Sequence, residues 1–241
     1  MSMSPGELPF IREMFDKIAP RYDFLNRTLS LKRDVLWRRE MVRALDLGRK
    51  KQAYVLDVAC GTCDVALEVL NQAGKNARIF GVDFSLSMLM LGSEKIKSQD
   101  AGRHIALLGG NALGLPFKSG QFDAVTIAFG IRNIGDKQKA LEELGRCLKP
   151  GGVLAVLELS TPENRFFQAL YLTYFTKVLP FVGGFFSKNL SAYQYLPESV
   201  LRFPKSEDFG KIMEQAGFCA VSWKKLTLGI VTLYTGRKQD A

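Results

Sequence analysis

From residue 53 onward the chain alternates short runs of β-branched and apolar residues with stretches of helical periodicity. Successive β-α-β units produce that pattern, which restricts the fold to an α/β core around a mostly parallel sheet with helices on both faces. The expected strands are 53–59 (AYVLDVA), 77–83, 104–109, 123–129 and 152–160, then FCAVSWKKL and IVTLYTGRK. Helices are expected at 64–73, 86–98, 137–148 and 206–216. Only Thr227-Leu228-Gly229 separates the last two strands, too few residues for a crossover helix. They are therefore expected to form an antiparallel hairpin at one end of a seven-stranded sheet.

A length of 241 residues suits one domain, 1–241. Two segments fall outside the alternation. Residues 1–50 read as a helical lid leading into the sheet, with Leu36 and Trp37 as packing candidates. Residues 161–204 read as an apolar helical insertion, crowded with aromatics and interrupted by Pro180, Gly183 and Gly184. The insertion either packs on the core or lines a pocket for an apolar substrate. No run of about 18 apolar residues suggests a membrane span, and the first residues lack the pattern of a secretory signal. A cytoplasmic protein is expected, with peripheral contact at the inner face of the membrane as an extension of that reading.

Other residue types narrow the chemistry. The four cysteines, at 60, 63, 147 and 219, are too few for a disulfide framework. Cys60 and Cys63 form a C-x-x-C, which suits a redox pair or half a zinc site, but further zinc ligands are lacking and no metal is expected. The single histidine, His104, leaves little basis for a Ser-His-Asp or Cys-His device. The net charge of +9 is concentrated before position 52, at Arg27, Lys32, Arg33, Arg38, Arg39, Arg43, Arg49, Lys50 and Lys51. A solvated helical face explains it best, followed by attraction to an anionic membrane, and then by RNA. No nucleic-acid partner is expected, and a homodimer is left open.

The segment Val55-Leu56-Asp57-Val58-Ala59-Cys60-Gly61-Thr62-Cys63-Asp64 carries the strongest site signal. A buried strand ends at a glycine turn and opens a helix, the place where open α/β sheets bind nucleotide-like ligands. Dinucleotide sites want G-x-G-x-x-G there, to bring backbone against a pyrophosphate. A single glycine suits S-adenosylmethionine, which carries no phosphate. Gly61 and Thr62 would admit its amino-carboxypropyl arm, and Asp57 would face the cationic end. Asp83, ending the second strand, can accept both ribose hydroxyls. Its alternative role, as a helix cap, falls better to Ser85. Asn111 and Ala112 follow the third strand where an adenine edge is read, and Ala128 ends the fourth.

Further motifs run along nearly the whole chain: Tyr22-Asp23-Phe24-Leu25-Asn26-Arg27-Thr28-Leu29-Ser30, Leu115-Pro116-Phe117, Phe129-Gly130-Ile131-Arg132-Asn133, Arg146 to Gly152 ending at Glu158, and Tyr193 to Ser199. With these the chain resembles the Rossmann-like class I methyltransferases, and among them the C-methyltransferase family of ubiquinone and menaquinone biosynthesis. The resemblance implies methylation of a ring carbon of a prenylated quinol with S-adenosylmethionine as donor. Three positions depart from the family's usual residues: Cys63 for glycine, Asn111 for aspartate and Asp34 for glycine or histidine. Arg132 is the expected holder of the developing oxyanion, with any base role acting through water because its pKa is too high. Tyr22 and Asp23 are expected to close over the site, or else serve as a turn tyrosine and a helix cap. Tyr22, Arg132 and the 161–204 insertion should then converge on one apolar pocket. An RNA methyltransferase, or a fold that has lost catalysis, are the competing readings.

Overall fold

The computed structural model describes residues 7–49, 51–173 and 190–239. Its centre is a sheet of β1 (Ala53–Val58), β2 (Ala77–Asp83), β3 (Ile105–Gly109), β4 (Phe122–Ala128), β5 (Leu148–Leu159), β6 (Phe218–Leu226) and β7 (Val231–Lys238). The order is β3-β2-β1-β4-β5-β7-β6. All neighbours run parallel except at β7, which is antiparallel to β5 and to β6. The expected hairpin is present, and its return strand lies inside the sheet.

Strand β1 shows why the central strands read as mostly apolar runs with no alternation. Val55, Leu56 and Val58 are all buried, because a parallel strand is covered on both faces. Side-chain alternation then divides the core in two. Val55, Ala155 and Leu157 join one cluster with Trp37, Met41, Val69 and Ile96. Those partners come from α2 (Arg33–Arg43), α3 (Asp64–Ala73) and α4 (Leu86–Ser98). Leu56, Leu154 and Val156 join the other cluster with Leu141, Leu144, Phe209 and Met213. Those belong to α5 (Lys137–Cys147) and to a later helix at Ser206–Gln215. Helix α5 illustrates the local logic. Asp136 caps it by accepting from the Lys139 N–H at 2.9 Å, and Ala140, Leu141, Leu144 and Cys147 form its buried stripe. Each fully buried leucine there contributes about 1.5–3 kcal/mol.

The N-terminal segment forms α1 (Glu7–Leu29) ahead of α2, and α1 packs on α4. Trp37 enters the core as expected, whereas Leu36 is 47% exposed. Neighbouring residues on a helix point about 100° apart, so only one of the two can face the sheet. β5 begins earlier than expected because Leu148 already pairs with Phe122 across an irregular register. In the insertion, α6 (Arg165–Thr173) and α7 (Leu190–Leu201) are helical, and α8 is the helix at Ser206–Gln215. Pro180, Gly183 and Gly184 lie outside the described residues.

Candidate active site

The carboxyl ends of β1, β2 and β4 open onto one cleft of about 840 Å³, its open mouth included. Its shape begins with backbone. After β1, Ala59 (φ 51°), Gly61 (φ 53°) and Cys63 (φ 68°) all take left-handed conformations. After β4, Phe129 does the same, with φ 56°. The two loops press together at Gly130, where an added Cβ would lie 2.6 Å from the Ala59 Cβ. Glycine is required there for close approach.

Asp83 ties the first loop to the second strand. Its Oδ2 accepts from the Gly61 N–H at 2.8 Å, and its Oδ1 from the Ser85 N–H at 2.9 Å. Burial raises its pKa, against the pull of the backbone donors. Ser85 is the cap of α4, accepting from the Met88 N–H at 3.2 Å. Asp83 lines the cleft and keeps lone pairs free of the backbone for two hydroxyl donors. Asp57 is 1% exposed. Its Oδ1 accepts from Thr126 Oγ1 at 2.8 Å, while its buried Oδ2 makes no hydrogen bond of normal geometry, the Ala66 N–H in the first turn of α3 being the backbone donor that pulls on the carboxylate. Burial pushes this carboxyl up to about 7, against the pull of the Thr126 hydroxyl. Asp57 lines a small recess of about 320 Å³ with Tyr22, Gly61, Thr62 and Ala128. A buried carboxylate oxygen of this kind in such a recess fits a cationic ligand group.

Asn111, Ala112 and Ala128 line the main cleft together with Gly61, Tyr22 and Asn133. Asn111 Oδ1 accepts from the Leu113 N–H at 3.0 Å, which commits the oxygen locally and leaves the amide donors for a ligand. Most of the remaining lining is apolar, including Ile11 and Phe15 from α1.

Asp23 stands apart from the cleft lining. Its Oδ1 accepts from Thr62 Oγ1 at 2.6 Å and its Oδ2 lies 2.6 Å from Lys95 Nζ. Lys95 also reaches Asp64 at 2.7 Å and Thr62 at 3.0 Å. Arg27 reaches Asp64 at 2.8 Å, and both Arg27 and Arg38 pair with Asp34, which is 2% exposed. Asp23 therefore fastens α1 to the β1–α3 loop. The expectation of a solvated basic face fails at Arg38, which is buried within this network. Asp34, Asp64 and Lys95 were not singled out as site residues from sequence.

Arg132 sits in a short turn, Ile131–Asn133, after β4. Its Nη1 lies 2.7 Å from Glu158 Oε1, with side-chain exposures of 8% and 0%. The Arg132 backbone N–H donates to Glu158 Oε2 at 3.1 Å. Burial alone would lower the Arg132 pKa, but the Glu158 carboxylate, with Tyr22 and Tyr195, holds it above the usual value. Its Nε is buried and has no protein partner. Tyr171 of α6 also feels this charge, though burial dominates and raises its pKa. Tyr195 of α7 donates to Asn133 Oδ1 at 3.1 Å. Tyr22, Tyr171 and Tyr195 thus lie within electrostatic reach of Arg132, but of this group only Tyr22 lines the cleft. Arg132 and the described residues of 161–204 stand behind its wall, so the expected convergence on one pocket is not seen among the described residues. His104 lies elsewhere, beside Arg78 and the Ala77 carbonyl near the start of β3.

Comparison with known proteins gives the family and the fold. The family model described as the ubiE/COQ5 methyltransferase family matches residues 4–238. The ubiquinone/menaquinone biosynthesis C-methyltransferase UbiE of Geobacter sulfurreducens is 47% identical over 228 residues, covering 95% of this chain and 88% of that protein. The demethylmenaquinone methyltransferase of Thermus thermophilus is 47% identical over 224 residues, covering 92% and 99%. A solved SAM-dependent methyltransferase from Thermotoga maritima superposes with a TM-score of 0.64 at 20% identity, covering 94% and 99% of the two chains. One from Aquifex aeolicus gives 0.62 at 21% identity, covering 86% and 92%. These two share the fold.

Proposed function

The chain belongs to the ubiE/COQ5 methyltransferase family, and from that premise we propose that this S-adenosylmethionine-dependent C-methyltransferase of menaquinone and ubiquinone biosynthesis alkylates a ring carbon of a prenylated quinol in the cleft above β1, β2 and β4. The observation that carries the assignment of the donor site is the buried Asp57 carboxylate beside Gly61, whose Oδ2 makes no hydrogen bond of normal geometry. Bound there, S-adenosylmethionine supplies an electrophilic methyl on a cationic sulfur. Asp57 and the Gly61–Thr62 backbone would hold its charged arm, Asp83 its ribose hydroxyls, and Asn111 with Ala112 its base. Ala128 closes the floor.

A ring carbon becomes nucleophilic when an adjacent hydroxyl of the quinol ionises. Arg132 is assigned to stabilise that oxyanion, because its Nε–H is a buried donor without a protein partner and Glu158 keeps the guanidinium charged and oriented. Asn133, aligned by Tyr195, offers a second donor at the cleft wall. Tyr22 covers the ring from α1, while Asp23 acts by holding that helix in place. Much of the rate would come from positioning the ring in line with the methyl.

A prenyl tail places the substrate at a lipid surface. Among the described residues no helix is long and apolar enough to cross a membrane. Phe166 and Leu170 on α6 are 73% and 62% exposed, and the net charge is +9. These features support peripheral binding to an anionic bilayer, and salt-sensitive sedimentation with anionic vesicles tests it. The catalytic reading is tested by transfer of labelled methyl from S-adenosylmethionine to reduced demethylmenaquinone and to the benzoquinol analogue. Transfer to neither acceptor would overturn it.

A further inference from the structure

Cys60 and Cys63 take no part in the chemistry above. The turn between them is closed by the Cys63 N–H, which donates to the Cys60 carbonyl at 2.8 Å. A turn of this type keeps its end Cα atoms within about 7 Å, close to the span of a disulfide. The neighbouring Cys63 thiol, together with burial, pushes the Cys60 thiol up. Both sulfurs also approach one acceptor, the Gly61 carbonyl, at 4.0 and 3.8 Å. Cys63 is shut in against α4, where an added Cβ on Gly92 would lie 2.5 Å from its Sγ. Cys60 borders the recess that holds Tyr22 and Asp57.

We propose that Cys60 and Cys63 form an oxidisable dithiol, closed to a disulfide by the quinone form of the substrate, and that closure weakens binding of the methyl donor. The oxidant in this proposal rests on the quinol reading given above. Two S–H bonds break and one S–S bond forms, and the two protons and two electrons released convert the quinone to the quinol. Gly61 lies between the two cysteines and donates its N–H to Asp83. Drawing the sulfurs to about 2.05 Å therefore reshapes the loop that receives the donor. The chemistry gives the coupling its sense, since only the reduced ring can accept the methyl. A site facing oxidised ring would release its donor and return one equivalent of quinol.

The test takes the full chain, fully reduced and kept without oxygen, and exposes it to dimethyl naphthoquinone, whose substituted quinone carbons resist thiol addition. A parallel sample receives diamide, an oxidant unrelated to the substrate. Peptide mass analysis detects the Cys60–Cys63 bond as a loss of two hydrogens, and calorimetry follows S-adenosylmethionine affinity. Both oxidants should close the bond, and affinity should fall about tenfold or more, as expected for loss of a charge-assisted loop hydrogen bond. Dithiothreitol should restore it. In Cys60→Ser and Cys63→Ser variants, each compared with its own untreated sample, the treated-to-untreated ratio should stay near one. No bond after quinone treatment overturns the proposal, as does a bond that leaves affinity unchanged. Methyl transfer by the reduced protein is assayed alongside. Its absence would remove the quinol reading and the quinone as oxidant, whereas a diamide-closed bond without effect would remove the dithiol's role itself.

Discussion

Arg132 and Glu158 are locked together twice, once through the guanidinium at 2.7 Å and once through the Arg132 backbone N–H at 3.1 Å. The carboxylate is fully buried, so the pair cannot be treated as an isolated catalytic charge. Arg132→Ala should abolish turnover and also destabilise the fold by about 3–5 kcal/mol, because it strands a buried anion. Arg132→Lys keeps the charge and loses the fork, so it should fold and bind donor yet turn over at least about tenfold more slowly. Thermal melts and single-turnover kinetics separate the two effects. Full activity in the lysine variant would sink the assignment of Arg132 to the oxyanion.

Asp57 predicts a pH signature. Its pKa is raised to about 7 by burial, so the folded protein holds a proton that the unfolded chain has already released. Stability linked to this group is present below about pH 4 and is lost as pH rises to about 7, by roughly 4 kcal/mol. Asp83, also raised, acts in the same direction. A cationic donor favours the carboxylate, so S-adenosylmethionine affinity should climb as pH approaches about 7, by up to about tenfold per unit, and level above it. Calorimetry in buffers of different ionisation enthalpy should show proton release on binding below about pH 7. Asp57→Asn should flatten that profile.

Lys95 holds α1 to the donor loop through Asp23, Thr62 and Asp64. Lys95→Ala should raise the KM for S-adenosylmethionine about fivefold, in line with loss of a partly buried charge contact of about 1 kcal/mol. It should also speed trypsin cleavage after Arg12, Lys17 and Arg21, side chains already exposed on α1 but protected by its helical backbone. Limited proteolysis with and without donor reads this directly, and an unchanged cleavage rate would remove the tether.

Gly130→Ala drives a Cβ to 2.6 Å from the Ala59 Cβ. Separating the β1 and β4 loops should cost about 1–3 kcal/mol of stability and weaken donor binding in step. A variant with native melting temperature and native affinity would show that the loops yield freely.

Much of the site was legible because it is local in sequence. Asp57, Gly61 and Thr62 occupy one strand-loop-helix segment, and Asp83 ends the strand beside it, so the strand pattern and the glycine turn together place them at the carboxyl ends of neighbouring inner strands. The tether was not legible. Lys95 is distant in sequence from both Asp23 and Asp64, and a lysine on a helix ordinarily means solvent. Asp23 was expected over the chemistry for a related reason. Adjacent residues of α1 face different ways, so Tyr22 lines the cleft while Asp23 turns to Thr62. Tyr171 and Tyr195 come to Arg132 only through the packing of α6 and α7, which no periodicity specifies.

The position of β7 bears on how the molecule is made. β6 joins the sheet only through β7, and β7 also covers β5 from Val153 to Leu159. During synthesis that edge of β5 emerges long before its partner does. A nascent chain halted short of Val231 would therefore carry an unpaired, almost wholly apolar strand edge, the kind of template on which chains aggregate. The lateness of β7 makes the finished sheet dependent on its last strand and the unfinished one dependent on protection.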